Sequence, residues 1–445
     1  MPAHISIMNA KLPVYPVFWI VLTCFLQLPV KAQFLMDMLD TSNAAEKGLW
    51  AVYKKDDHLQ ISGYFQPQFQ VAQQKGVEHY SGGDDFSRHS DNRFLLRRAR
   101  LRTDYAHFNA SGQPQAQVVM QIDGTERGVT IRDLWARLYE NEWELFSFTG
   151  GMFARPFGYE VNLSSSDRET PERGRMSQIL MKTERDLGVM AAFEPRKKDH
   201  PLRYMKIAIG IFNGQGLTGP QEYDSYKDII GRISLNPYPL SPAVKISAGL
   251  SVLQGGLAQN SRYRYSGAAT INGHRDFIVD SSENNIGKKA PRKYYGADAQ
   301  LLVKHSWGKT QLRGEYWMGK QTGSAQHSET PGLLLDEPYY VRDFNGAFFY
   351  LIQDIINEKH QLIVKYDWYD PNTEFKGDEI GMQDTHTHWG DIKFETVGFG
   401  YNHYFNNHIK LMIWYDWVTN EPTGLEGYTE DVKDNIFTCR VQFRF

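Results

Sequence analysis

The chain has 445 residues and a formal net charge of −3, which argues against the strongly basic surface that bulk nucleic-acid binding needs. Its mean hydropathy of −0.51 argues against a bundle of apolar membrane helices, but not against a β-barrel, in which only every second residue meets lipid. Aromatic residues make up 13% of the chain, with 25 Tyr, 25 Phe and 10 Trp, which suits membrane-interface girdles and would equally suit a carbohydrate-binding sandwich.

In chain order, the first feature is the one long apolar stretch, 12–30, which carries Pro13, Pro16 and Pro29 and ends at Val30-Lys31-Ala32. It reads as a signal peptide over 1–32, with a signal anchor as the alternative; Val21-Leu22-Thr23-Cys24 fits a lipoprotein cleavage site poorly because Thr precedes the Cys. Residues 33–57 form a periplasmic lead-in, too short for a domain, in which Phe34, Leu35, Met36, Met38 and Leu39 suit either a short amphipathic helix or an extra strand. Cys24 belongs to the signal peptide, so Cys439 stands alone and no intrachain disulfide or cysteine zinc site is possible.

From residue 58 the chain alternates with period two. The first strand spans 59–71, with Ile61, Phe65 and Phe69 on one face and Gln60, Ser62, Tyr64, Gln66, Gln68 and Gln70 on the other. The second spans 94–105. Others centre near residues 118, 135, 146, 189, 207, 231, 246, 299, 312, 349, 364, 399 and 411, the one near 349 lacking clean alternation. The last runs over 435–445, with Phe437, Cys439, Val441, Phe443 and Phe445 on one face and Thr438, Arg440, Gln442 and Arg444 on the other. Short links, such as Glu140-Asn141-Glu142, Asn236-Pro237-Tyr238-Pro239, Ser306-Trp307-Gly308 and Phe405-Asn406-Asn407, alternate with long polar ones at 72–92, 154–184, 255–292, 319–344, 371–391 and 419–433. About sixteen strands with this rhythm predict an all-β fold, a transmembrane antiparallel β-barrel over 58–445 with short periplasmic turns and long outer loops.

Arg98, Arg100 and Arg102 alternate on the second strand and share one face; Arg440 and Arg444 share the inward face of the last. Barrel closure puts the last strand beside the first and the first beside the second, so these five arginines fall on one wall. They read as a pore-lining anion path, or as structural partners of lumen carboxylates such as Asp104, Asp123 and Asp133. Arg97 has outward parity and marks either an interface or a bulge.

The loop at 154–184 is expected to fold inward as a constriction. It holds Arg155, Arg168, Arg173, Arg175 and Lys182 against five Asp/Glu, a balance that sets a transverse field rather than an anion filter. The loop at 255–292 is basic, with Arg262, Arg264, Arg275, Lys288, Lys289 and Arg292 against Asp276, Asp280 and Glu283, and Lys293 follows it. The loops at 371–391 and 419–433 are acidic, so steering at the outer mouth is local. Asp384, His386 and His388 could share a metal on an extended segment, but exposed loop histidines are the better reading. No nucleophile elbow, phosphate loop or HExxH signature is present.

Several segments together resemble the phosphate-selective porin O and P family in its Bacteroidetes branch. They are Ile61-Ser62-Gly63-Tyr64-Phe65-Gln66-Pro67-Gln68-Phe69, Phe94-Leu95-Leu96-Arg97-Arg98-Ala99-Arg100-Leu101, the stretch 151–173, Asp186-Leu187-Gly188-Val189, Gly231-Arg232 before Pro237, and the closing Phe445. The resemblance implies a sixteen-stranded, homotrimeric outer-membrane channel for phosphate-type anions, with Arg98, Arg100 and Arg102 similar to part of that family's arginine ladder. The charge-balanced loop at 154–184 departs from the pattern, and the late cluster Lys288, Lys289, Arg292 and Lys293 does not match the selecting lysines residue by residue. The expectation is an outer-membrane porin, anion-preferring, in contact with membrane lipid and small polar or anionic solutes, without cofactor, metal or bond chemistry. A non-conducting surface receptor or adhesin, an outer-membrane enzyme and a secreted β-sandwich are the rivals.

Overall fold

The computed structural model describes residues 58–78, 80, 85–217, 219, 221–271, 273–329 and 337–445; the predicted signal peptide and the lead-in at 33–57 lie outside these. Alternation decides the architecture. On β1 (Leu59–Ala72), Gln66, Gln68 and Gln70 are buried while Leu59, Ile61, Phe65 and Val71 are exposed, so the polar side chains face the interior and the apolar ones the surroundings. That inversion of a soluble protein's pattern is the mark of a wall between lipid and a polar lumen.

β2 (Asn92–Phe108), β3 (Pro114–Thr125), β4 (Gly128–Tyr139), β5 (Phe146–Ala154), β6 (Arg185–Phe193), β7 (Met205–Phe212), β8 (Asp228–Pro239) and β9 (Val244–Ala258) follow as an antiparallel meander. β9 pairs directly with β12 (Lys289–His305), and the meander continues through β13 (Gly308–Gly323), β14 (Tyr339–Ile355), β15 (Asn357–Asp370), β16 (Phe394–Tyr404), β17 (Ile409–Asn420) and β18 (Ile436–Arg444). β18 pairs with β1, Tyr64 opposite Arg444 through Ala72 opposite Ile436, and closes a barrel of sixteen strands. At the seam, Phe445 and Gly63 exchange two backbone hydrogen bonds of 3.0 Å. The Phe445 ring lies where a Cβ on Gly63 would stand 2.5 Å from it, so the aromatic covers a glycine at the closure.

The predicted strand centres all fall within these sixteen strands. β14 lacked clean alternation because its inward residues Phe348, Tyr350 and Ile352 are apolar as well: they meet a buried loop rather than water. Two expectations are corrected. Asn236-Pro237-Tyr238-Pro239 is not a turn; β8 runs to Pro239, and a bulge between Leu235 and Tyr238 takes up Pro237, which has no N–H for the ladder. The stretch at 255–292 is not all loop. It contains a hairpin, β10 (Arg264–Ile271) and β11 (His274–Asp280), outside the ring and joined to β14 by a short parallel pairing. Gly267, at φ +62°, sits at a bulge in β10 and breaks the alternation that would have revealed the hairpin.

The wall is uneven. β5, β6 and β7 have 9, 9 and 8 residues, whereas β12, β13 and β14 have 17, 16 and 17, so one side stands roughly twice as tall. The hairpin packs above the tall side, where Phe277, Tyr340, Phe375, Ile380 and Ile392 form an apolar cluster among the outer loops. Leu250 on β9 is 61% exposed and central on its strand. Leu250→Arg should destabilise the barrel by about 2–4 kcal/mol, and Leu250→Phe by much less, in equilibrium unfolding from lipid vesicles. Equal effects would place that face outside the bilayer.

Candidate functional site

The connection between β5 and β6, residues 155–184, here termed loop 3, lies inside the barrel. Its binding to the wall has an electrostatic side and an apolar side. The electrostatic side centres on Glu172. A bulge in β2 sets two residues, Arg97 and Arg98, opposite one position of β1, between the pairs Phe65–Ala99 and Pro67–Leu96. Both guanidiniums therefore reach the lumen: Arg97 Nε lies 3.0 Å and Arg98 Nη2 2.6 Å from the Glu172 carboxylate. Arg440 of β18 is 3.1 Å away on the same carboxylate, and Arg168 of loop 3 is at 4.0 Å. Burial would raise the Glu172 carboxyl, but the guanidiniums of Arg97, Arg98, Arg168 and Arg440 outweigh it and hold it well below the usual carboxylate range. Arg168, buried beside it, is lowered to about 10 by desolvation. Asp167 moves the other way, raised by burial that Arg444, 3.3 Å from it, offsets only in part.

Further straps fix the rest of the loop. Glu169 takes a bidentate pair from Arg313 of β13 at 2.8 and 2.9 Å, and Glu184 pairs with Arg132 of β4 and Arg185 of β6. Glu315 of β13 accepts the backbone N–H groups of Tyr159 and Glu160 at 2.8 and 2.9 Å. Lys410 of β17 donates to the carbonyls of Ser166 and Arg168. On the apolar side, Phe157, Val161 and, in and just beyond the short helix α1 (Arg175–Leu180), Met176, Ile179, Leu180 and Met181 are buried with Trp317, Phe344, Phe348, Ile363 and Trp414 of the wall.

Loop 3 divides the lumen. Toward the long loops lie a cavity of about 260 Å³ and, sharing Tyr80, Arg175 and Asp434 with it, a cleft of about 20 Å³, here termed the neck, with room for about one water. Glu172, Asp367, Asp416 and Asp434 line the neck together with Arg173, Arg175 and Lys365. Toward the short turns lies a larger cavity of about 410 Å³. Arg102, Arg137, Arg185 and Arg232 line it with Lys206, Lys245 and Arg313, and among the described residues Asp133 is the single carboxylate on that lining. Carboxylates set behind the lining hold several of these cations: Asp104 holds Arg102 at 2.7 Å, Asp298 holds Arg232 at 2.7 Å and Glu194 holds Lys206 at 2.9 Å. A guanidinium carries five N–H donors in a fixed fork, more than one carboxylate accepts.

The five arginines of the predicted anion path are thus placed in two groups. Arg98, Arg100, Arg440 and Arg444 bind loop 3 or its neighbours; Arg100 contacts Asp123 at 2.8 Å and donates to Tyr64 and Ser165. Arg102 alone of the five lines the large cavity. Of the predicted constriction residues, Arg155 and Arg168 are buried, Arg173 donates to the carbonyls of Glu160 and Val161, and Arg175 stacks on Phe394 at 4.0 Å. Lys182 pairs with Glu329 of an outer loop. Of the outer basic group, Lys288 precedes β12 while Lys289, Arg292 and Lys293 belong to it, and Arg292 is buried against Asp228 at 2.6 Å. His386 pairs with Asp276 at 2.7 Å, tying the loop before β16 to β11, and no group of three metal ligands occurs among the described residues. Arg137, Lys206, Arg232, Lys245 and Arg313 were not singled out from sequence. Their inward parity was visible, but only the ring order of the strands brings them to one cavity.

No protein-family model matches this sequence, and no curated protein matches it. Among solved structures, Pseudomonas putida OprB, in a high-pH structure, superposes with a TM-score of 0.55 at 9% identity, over 87% of this chain and 94% of that one. An anion-selective porin from Comamonas acidovorans gives 0.52 at 11% identity, over 87% and 99%. The barrel has the porin fold. At such identities the likeness is one of fold alone.

Glu172→Gln keeps the volume and removes the charge, leaving four guanidiniums crowded without their counter-ion. Loop 3 should lose about 3–5 kcal/mol of attachment, read as faster amide exchange and proteolysis within 160–180; unchanged protection would refute the clamp. Because the Glu172 carboxyl is lowered in the folded state, its contribution is fully present above the unfolded value of about 4.3 and is lost only as pH falls below that toward the folded value. The loss of loop-3 protection caused by Glu172→Gln should therefore be the same at pH 7.5 and 5.5 and should shrink only below about pH 4.

Proposed function

We propose that this protein is an outer-membrane porin, a passive diffusion channel for small hydrophilic solutes with a moderate preference for anions. The observation that carries the reading is the cavity on the short-turn side of loop 3, with seven Lys or Arg and one carboxylate on its lining. Fixed donors at close range replace part of an anion's hydration shell, and binding stays weak enough for release. Carboxylates behind the lining bring the local charge near balance, so the preference is moderate. The neck of about 20 Å³ favours a small unitary conductance. The fold it shares with the anion-selective porin of Comamonas acidovorans agrees with this reading. The resemblance to the phosphate-selective porin O and P family adds a homotrimeric assembly to this proposal, and phosphate as one anionic head group that such a lining would meet.

A second reading, a non-conducting barrel whose outer loops form a receptor or adhesive face, is favoured by one observation: loop 3 packs an apolar cluster across the lumen beneath a layer of packed outer loops. Single-channel recording of the refolded protein in a planar bilayer under a KCl gradient separates the two. The expected result is discrete steps of small conductance with a reversal potential on the chloride side. A potential at zero or on the cation side would remove the anion preference, and absence of any steps would leave the non-conducting barrel.

A further inference from the structure

The lining of the large cavity is not that of a site for a bare inorganic ion. We propose that it binds small organic anions, with a carboxylate or phosphate-ester head on an apolar, ring-sized body, in preference to inorganic phosphate. This rests on the anion-channel reading and narrows its substrate class.

The volume of about 410 Å³ falls in the range of small-molecule sites, roughly 300–1,000 Å³. Its wall is composite. Trp135 of β4 stands between two cations on its own cavity face, with the Arg102 and Arg137 guanidiniums 5.9 and 5.1 Å from its ring. Phe153 and Met190 continue that wall on β5 and β6, at the edge of the apolar cluster that holds loop 3. Leu235 and Ile246 line the cavity from β8 and β9. Apolar surface of this kind contributes nothing to holding a four-oxygen ion, which needs donors on all sides. It favours a solute that removes its own apolar area from water on entering. Guanidiniums beside an aromatic ring suit such a solute doubly: their N–H groups meet the anionic head, and a flat ring extends the stack already formed with Trp135. Arg137 is held by Thr149, which accepts from its Nε at 2.8 Å, and so is positioned without a carboxylate acceptor at that nitrogen.

The test compares head-matched pairs on the refolded full barrel in a KCl bilayer: phenyl phosphate against inorganic phosphate, and benzoate against acetate. The concentration that halves the chloride current should be at least tenfold lower for the ring-bearing member of each pair. Equal blocking concentrations, with a chloride-side reversal potential still present, would overturn this inference and leave the anion channel standing. If no current is seen, the channel reading fails, and calorimetric titration of the detergent-solubilised barrel with the same pairs reads the site directly, tenfold tighter phenyl phosphate supporting it and equal or absent binding overturning it. Trp135→Gln should bring the paired blocking concentrations together; Trp135→Leu, which keeps apolar bulk, should retain part of the difference.

Discussion

One buried carboxylate organises the interior of this barrel. Glu172 stands among Arg97, Arg98, Arg168 and Arg440, and the arrangement is stable only as a set. Without the carboxylate, the guanidiniums repel one another in a site with little solvent; without the guanidiniums, a buried charge is left unpaired. The net contribution of such a cluster to stability is modest, but it specifies one position for loop 3, because sliding the loop along the wall would break several pairs at once. The β2 bulge is part of the same device. It turns Arg97 from the lipid parity to the lumen, so that two consecutive residues serve one acid.

That position of loop 3 decides what the rest of the lumen can do. The arginines of β2 and β18 that face it are occupied, and four of the loop's five carboxylates, Asp167, Glu169, Glu172 and Glu184, pair with cations of the wall, while Glu160 accepts from Gly174, Ser177 and Tyr350. The opposite flank of the loop buries apolar side chains against β13, β14, β15 and β17, which is why those strands carry aromatics inward. What remains open to a solute is a narrow mixed-charge neck on one side and a cation-lined, partly apolar cavity on the other. On β2 and β18 the arginines that hold the loop are distinct from Arg102, which lines the cavity, whereas Arg185 and Arg313 do both.

Much of the fold was legible because it depends on alternation, which survives in a single sequence. The lumen-facing glutamines of β1 and the closing strand with Arg440 and Arg444 are examples. Legibility failed where a second layer altered the pattern: inward apolar residues masked β14, and Gly267 interrupted the β10–β11 hairpin. The site was less legible still. Parity placed Arg98 and Arg100 in the lumen correctly, but nothing in their own strand shows that the acid they or their neighbours meet comes from a loop some 70 residues later. The cavity of Arg137, Arg232, Lys245 and Arg313 depends on which strands lie side by side and on the height at which loop 3 crosses, and neither is a property of any one segment.

Arg100 and Arg102 offer the sharpest comparison, being two residues apart on the same face of β2 and on different sides of the loop's influence. Arg100 is held by Tyr64, Ser165 and Asp123, whereas the Arg102 side chain is 31% exposed and lines the large cavity. The most direct measurement is the reversal potential of Arg100→Gln and Arg102→Gln under the same KCl gradient. A shift toward the cation side is expected for Arg102→Gln and none for Arg100→Gln, although the two remove the same charge from neighbouring positions. Equal shifts would mean that the arginines of β2 act as one continuous anion path, and would contradict the division of labour that loop 3 imposes.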